Sequence, residues 1–128
     1  MKRCLLDSSF LIDLLNETAA GENGPARSWL ARHPRTELCI SPVTCAEVME
    51  GAEDPAEVAA ALSAFRWQPI GHRHAIRVAA LRRRSTRRLG ENDAWQVAIA
   101  ETMDAVLIGH DPKAFARPGL RHEDHRAS

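Results

Sequence analysis

The chain has 128 residues, of which 45% are hydrophobic and 27% charged, and 17 basic residues balance 17 acidic ones. This composition is typical of one compact globular domain, and a formal charge of zero by itself predicts no polyanionic partner. No apolar stretch approaches the roughly 20 residues of a membrane span, and Asp7 and Asp13 interrupt the apolar run near the N-terminus. The cysteines have no CxxC spacing. We therefore expect a soluble cytoplasmic protein.

Strand and helix patterns alternate along the sequence. The predicted strands are Arg3–Leu6, Glu37–Ile40, a short one within Arg66–Ile70, and Ala105–Ile108. The predicted helices begin near Ser8, at Pro25, near Thr44, at Pro55 after an Asp54 cap, at His72 (running to Leu89) and after a cap at Asn92. This alternation predicts an α/β fold in which helices cover both faces of a parallel sheet. We expect one domain over residues 1–120 and a polar C-terminal tail, residues 121–128, that frays.

Four acidic residues fall at or near the places where a parallel sheet binds its ligands. Asp7 follows the first strand, Glu47 lies in the helix after the second, Asp93 begins a helix and Asp111 follows the last clear strand. If the strands before Asp7 and Asp111 are neighbours, all four carboxylates can meet at one edge of the sheet. Close carboxylates need a cation or a proton between them, and Mg²⁺ or Mn²⁺ suits oxygen ligands. Each acid taken alone is also compatible with an ordinary surface carboxylate.

Three segments carry a resemblance to a known family: LLDSSFLIDLL, ISPVTCAEVMEG and ENDAWQVAIAETMDAVLIGHDPKAF. In this order they resemble PIN-domain proteins and, more narrowly, the VapC-type ribonuclease toxins of toxin–antitoxin pairs. The similarity extends from Arg3 to about Leu120. It implies a three-layer α/β/α PIN-like domain with a short parallel sheet of about four to five strands, a ribonuclease that depends on Mg²⁺ or Mn²⁺, a cognate antitoxin protein and a homodimer.

The resemblance also implies roles for individual residues. The catalytic and metal-binding acids would be Asp7, Glu47, Asp93 and Asp111. The small hydroxyl residue beside the first acid would be Ser8, and the sequence itself adds Asn92, next to Asp93, and His110, next to Asp111, as further candidate supporting residues. The family usually has Thr or Ser two residues before the last acid, whereas this chain has Gly109, which weakens the assignment of Asp111. Asp13 has a family counterpart that is often acidic without being catalytic, and we expect it to be a solvated helix residue.

A dense arginine cluster follows the centre of the chain. Its members are Arg82, Arg83, Arg84, Arg87 and Arg88. Arginine binds phosphate well, so the cluster is a candidate contact for RNA. Two other interpretations remain open: a solvated helix end whose cations complement the helix dipole, or a surface that grips an acidic segment of an antitoxin.

The leading hypothesis is a metal-dependent endoribonuclease, and two alternatives compete with it. One is another Mg²⁺-dependent phosphoryl-transfer hydrolase with an aspartate nucleophile. That chemistry calls for a second acid two residues after the first, where this chain has Ser9. The other is a PIN-like module that binds RNA or protein without catalysis.

Overall fold

Five parallel strands form one sheet in the order β3-β2-β1-β4-β5. The computed structural model of the chain describes residues 2–84 and 89–127. The strands are β1 Lys2–Leu6, β2 Thr36–Ile40, β3 Arg66–Trp67, β4 Val106–Ile108 and β5 His122–Glu123. The helices are α1 Ser8–Ala20, α2 Pro25–Arg32, α3 Pro42–Glu50, α4 Pro55–Leu62, α5 His72–Arg84, α6 Glu91–Thr102 and α7 Pro112–Phe115. Within the described ranges, no helix is both long and apolar enough to cross a membrane.

The sheet is buried on both faces, which confirms the predicted three-layer α/β architecture. Successive residues of a strand point to opposite faces, and the apolar residues of β1 divide accordingly. Leu5 packs in a cluster with residues of α5 and α6, whereas Cys4 and Leu6 pack in a second cluster with α1, α2, α3 and α4. Strands covered on both sides read as continuous apolar runs, and for this reason β1 and β4 were recognisable in the sequence.

The strand order places a crevice at the carboxyl ends of β1 and β4. The chain leaves β1 towards β2 on one side and returns to β4 on the other, which makes these two ends a topological switch point. The Asp7 backbone N–H donates to the Ile108 carbonyl over 2.9 Å, so the segments that leave β1 and β4 run side by side. The expectation that the strands before Asp7 and Asp111 are neighbours is thereby confirmed.

The ends of helices α4, α5 and α6 compare differently with the sequence predictions. Helix α4 begins as expected, because the Asp54 side chain accepts a hydrogen bond from the Glu57 N–H and Pro55 occupies the first position. Helix α6 is capped by Gly90, so the prediction of Asn92 as its cap is wrong. The Asn92 side chain is instead hydrogen-bonded to Glu47. Helix α5 is described as far as Arg84, and residues 85–88 lie outside the described part of the chain.

The C-terminal segment is part of the domain, and the prediction of a frayed tail is wrong. Strand β5 pairs with β4, placing His122 beside Leu107 and Glu123 beside Ile108. Beyond it, the side chain of His125 is fully buried, and its Nε2 lies 2.8 Å from Asp13 Oδ2. The exposed edge of the apolar strand β4 needs a partner for its backbone groups, and the tail supplies it.

Asp13 is consequently not the solvated helix residue that we expected. Besides His125, the guanidinium of Arg126 binds it through two contacts, of 2.8 Å from Nε and 3.0 Å from Nη2. This contact could not be predicted from the sequence, because the partners of Asp13 lie more than a hundred positions away in the chain.

Candidate active site

Asp7 lies at the switch point, only 6% exposed, and its carboxylate is held by neighbouring donors. It is the N-cap of α1, with Oδ2 accepting from the Ser9 hydroxyl over 3.0 Å and, at the longer distance of 3.4 Å, from the Ser9 N–H. Capping offsets part of the cost of placing a carboxylate after a buried strand. The acid at the end of this apolar run is therefore an acceptor aimed at the carboxyl edge of the sheet.

A buried chain of hydrogen bonds orients the other oxygen of Asp7. Ser41 caps α3 by accepting the Thr44 N–H over 3.2 Å, so its own proton remains available and reaches Gln96 Oε1 over 2.8 Å. This contact determines which end of the Gln96 amide faces Ser41, and the amide nitrogen faces Asp7 Oδ1 at 3.4 Å. Gln96 is 1% exposed, so the chain is shielded from water. Both oxygens of Asp7 thus have a protein donor.

Glu47 projects from α3, half-buried, towards the same region. Burial raises the pKa of its carboxyl, and the charges of Asp7 and Glu50 raise it further, while the hydrogen bond from Asn92 acts in the opposite direction. Asn92, predicted as a supporting residue, therefore contacts one of the four candidate acids. A carboxylate that is affected by the charge of Asp7 lies in its electrostatic neighbourhood.

Asp93 is the most strongly perturbed of the four acids. Burial and then the charges of Asp111, Asp7 and Glu47, in this order, raise its pKa from 3.8 to about 6. Its position in the first turn of α6 favours a negative charge, but burial and the neighbouring carboxylates together outweigh this effect. The fold therefore brings Asp7, Glu47 and Asp111 within electrostatic range of Asp93, and their charges oppose its ionisation.

The remaining predicted residues are placed differently. Asp111 is the N-cap of the short helix α7 and accepts from the Ala114 N–H over 3.1 Å. The His110 side chain pairs with Asp124, 2.8 Å away, and Ser8 is half-buried in the first turn of α1. The arginines at the end of α5 are exposed: Arg82, Arg83 and Arg84. The predictions for Arg87 and Arg88 fall outside the described residues.

The donor set at this edge of the sheet fits a hard divalent cation. All four acids offer carboxylate oxygens, which Mg²⁺ and Mn²⁺ prefer, and the raised pKa of Asp93 reflects negative charge that a cation would offset. In residues 2–84 and 89–127, no three His, Cys, Asp or Glu side chains already stand in the arrangement of a metal site. Because Mg²⁺ keeps several water ligands, it does not require a closed cage of protein atoms.

Sequence reasoning missed three residues that organise this site: Ser9, Ser41 and Gln96. Gln96 had a detectable signal, since it is a polar side chain on a helix whose neighbours Ala94 and Val97 are buried. Ser41 had a signal too, since Ser commonly caps a helix and Pro42 after it suits the first helical position. The contact of Ser9 with His110 had no signal, because these two residues become adjacent only in the folded chain.

Comparisons with known proteins agree with this architecture. The family model of the PIN domain matches residues 4–119. A toxin–antitoxin complex from Klebsiella pneumoniae contains a chain 33% identical to this one, with 91% of this chain and 94% of that chain covered and a TM-score of 0.75. VapBC2 from Rickettsia felis, bound to a promoter DNA fragment, shares 18% identity over 95% of this chain and 98% of that chain, with a TM-score of 0.77.

A third similar structure is VapBC-5 from Mycobacterium tuberculosis, at 22% identity, 97% and 98% coverage of this and that chain, and a TM-score of 0.65. A search of curated proteins finds no match. These structures share the fold of this chain, and the PIN-domain match confirms the family resemblance drawn from the three sequence segments. Since the family model spans nearly the whole chain, the protein belongs to the PIN-domain family.

Proposed function

We propose that the chain is a metal-dependent endoribonuclease that hydrolyses RNA phosphodiester bonds and acts as the toxin of a toxin–antitoxin pair. The observation that carries this proposal is the concentration of Asp7, Glu47 and Asp111 around Asp93, whose pKa their charges raise. Clustered carboxylates with a perturbed pKa at a topological switch point are a common form of catalytic site. The 33% identity to a chain of a toxin–antitoxin complex supports the biological role.

In this proposal Asp7 and Asp93 bind Mg²⁺ or Mn²⁺ directly, and Glu47 and Asp111 bind it directly or through water. Such an ion would polarise the phosphate, lower the pKa of an attacking water and stabilise the leaving oxygen. The protein's own part is orientation: Gln96 and Ser9 hold the two oxygens of Asp7, and Asn92 holds Glu47. Carboxylates fixed before the substrate arrives need little rearrangement during the reaction.

The exposed arginines are suited to hold RNA next to this site. Helices α5 and α6 pack together, and an ion pair with 2.7 Å between Arg77 Nε and Glu101 Oε2 joins them. Helix α5 ends at Arg84 and α6 begins at Glu91 with Asp93 in its first turn, so the arginines and Asp93 flank the same connection between the two helices. Cations at this end of the helices would attract the phosphates that flank the cleaved bond.

The proposed partners follow from the same comparisons. We expect a cognate antitoxin protein, because the similar structures from Klebsiella pneumoniae and Rickettsia felis are a toxin–antitoxin complex and VapBC2. We also expect a homodimer and a cytoplasmic location, in keeping with an RNA substrate. An acidic segment of the antitoxin would compete with RNA for the arginines at the end of α5 if it binds there.

RNA cleavage by the purified chain tests the proposal. The assay compares Mg²⁺, Mn²⁺ and chelator, with intact transfer and ribosomal RNA among the substrates and with folded Asp93→Asn and Asp7→Asn variants beside the native chain. We expect cleavage only with metal and with both aspartates present. Cleavage that persists in either variant, or in chelator, would overturn the assignment of the acids.

If all RNAs remain intact with metal present, the PIN-like binding module becomes the better description. The aspartate-nucleophile hydrolase has less support in the structure. Two residues after Asp7 stands Ser9, whose hydroxyl donates to Asp7 itself, so no second carboxyl group occupies the position that this chemistry needs.

A further inference from the structure

We infer that Ser9 is a positioning residue that joins Asp7 to the loop bearing Asp111 and so fixes the separation of two metal-binding acids. This inference rests on the proposed function, in which these acids bind a divalent cation. Its basis is a single hydroxyl group with two partners from opposite ends of the chain. Neither Ser9 nor the contact it makes was expected from the sequence.

The proton of the Ser9 hydroxyl can be placed from its partners. The His110 backbone N–H donates to Ser9 Oγ over 2.8 Å, and an N–H cannot accept in return. The Ser9 proton is therefore directed to its other partner, Asp7 Oδ2, at 3.0 Å. Ser9 thus accepts a hydrogen bond from the β4–α7 loop and donates one to the carboxylate of Asp7. Because both partners bind the same hydroxyl group, each limits the movement of the other.

Gly109 makes this arrangement possible, because no other residue would fit at its position. A Cβ atom on Gly109 would lie 2.6 Å from Asp7 Cβ, 3.0 Å from Ser9 Oγ and 3.1 Å from Asp7 Oδ2. The first of these distances is shorter than real Cβ contacts, and Asp7 Cβ cannot move without its backbone. The β4–α7 loop therefore lies directly against Asp7, and Ser9 fills the remaining polar gap between them.

The consequence concerns the geometry of the metal-binding acids. His110 immediately precedes Asp111, so a fixed His110 amide fixes the start of α7, which Asp111 caps. Gln96 holds Asp7 Oδ1 separately. Ser9, which holds Oδ2, therefore limits the rotation of the Asp7 carboxylate that Gln96 alone would permit. Residues that orient metal ligands typically contribute about 10- to 100-fold to metal affinity or activity.

The test removes the hydroxyl and measures metal affinity as well as cleavage. Ser9→Ala should bind Mn²⁺ about 10- to 100-fold more weakly than the native chain and reduce kcat by a similar factor, with KM for RNA nearly unchanged. Ser9→Thr, which keeps a hydroxyl, should restore most of the Mn²⁺ affinity. Gly109→Ala should weaken Mn²⁺ binding even though Ser9 is intact. Ser28→Ala, at a half-buried helical serine outside the site, is the matched control.

A second readout needs no metal. In chelator, hydrogen exchange of the His110 amide should accelerate in Ser9→Ala and stay at the native rate in Ser28→Ala. Native Mn²⁺ affinity and native kcat in Ser9→Ala would overturn the inference. If the native chain itself binds no Mn²⁺, the proposed function fails. The Ser9 contact is then judged by the exchange of the His110 amide alone, and an unchanged rate in Ser9→Ala would refute it.

Discussion

At the residue scale, Asp93 links the proposed chemistry to the stability of the metal-free protein. Its pKa is raised to about 6 by burial and by three neighbouring carboxylates. A carboxyl whose pKa rises on folding binds its proton more tightly in the folded than in the unfolded state. The contribution of Asp93 to the stability of the metal-free fold therefore falls as the pH rises from about 4, where the unfolded aspartate ionises, through about 6.

Asp93→Asn removes the buried negative charge that opposes folding at neutral pH, so it should stabilise the metal-free protein there. We expect the free energy of unfolding in chelator to increase by about 1–3 kcal/mol at pH 7.5, after a discount for partial solvent screening, and to change little at pH 4. Urea denaturation at the two pH values measures this, with Asp54→Asn as the control because Asn caps a helix as well as Asp. Saturating Mg²⁺ should favour the native chain instead. A variant that is destabilised in chelator at pH 7.5 would contradict the argument.

At the scale of elements, the C-terminal segment, residues 122–126, connects the sheet to the helices on one of its faces, and we call it the strap. Strand β5 pairs with β4, Glu123 Oε1 accepts from Trp29 Nε1 over 3.1 Å, and Arg126 binds Asp13. Burial acts to raise the pKa of Asp13, but the hydrogen bonds from Arg126 and His125 outweigh it and the pKa is lowered. A lowered pKa means that Asp13 stabilises the fold above the ordinary aspartate range and loses this effect as the pH falls through its folded pKa.

Asp13→Asn should therefore destabilise the protein at neutral pH but not in acid. We expect a loss of about 1–2 kcal/mol in the free energy of unfolding at pH 7, because charge-assisted hydrogen bonds are lost, with the difference closing as the pH falls below the ordinary aspartate range. Asp104→Asn is the matched control, since Asp104 pairs with Arg121 but its side chain is 94% exposed. Equal losses in both variants at pH 7 would show that the contact between the strap and α1 contributes no special stability.

Strands and helices were predicted correctly from the sequence where the local residue pattern matches the burial of the element in the fold. Strands β1 and β4 are apolar and covered on both faces, and α4 has the Asp54–Pro55 start, so short windows contained the needed information. Strand β5 could not be predicted, because its two residues, His122 and Glu123, are polar and become a strand only by pairing with β4. Its existence depends on the edge that β4 offers, which is a tertiary property.

The residues of the candidate site also fall into those that the sequence could predict and those that it could not. Asp7, Asp93 and Asp111 stand at a strand end or a helix start, positions that the sequence marks, whereas Glu47 lies inside α3 and was assigned from the family resemblance. The groups that orient Asp7 were not predicted, since Ser9 meets His110 and Gln96 meets Ser41 only across the folded chain. Asn92 shows the conflict directly: its residue type favours a cap, but a hydrogen bond to Glu47 occupies it and Gly90 caps α6. Tertiary contacts overrode local preference.

At the scale of the whole molecule, formal neutrality conceals a separation of charge. Acids meet at the carboxyl ends of β1 and β4, whereas exposed arginines end α5 beside the start of α6. Such a distribution can steer a polyanion to one face of a neutral protein. The attraction should depend strongly on salt, because bound phosphates release counterions in proportion to the number of contacts.

Removing Arg82 and Arg83 should therefore weaken RNA binding and its dependence on salt. With the non-cleaving Asp93→Asn chain as background, Arg82→Gln/Arg83→Gln should flatten the slope of log affinity against log salt by about 1.4, roughly 0.7 for each phosphate contact on single-stranded RNA. Arg32→Gln/Arg35→Gln removes the same charge from exposed positions on and after α2 and should leave the slope nearly unchanged. Equal slopes in the two double variants would mean that RNA senses only net charge. The arginines at the end of α5 would then be available for an acidic antitoxin segment.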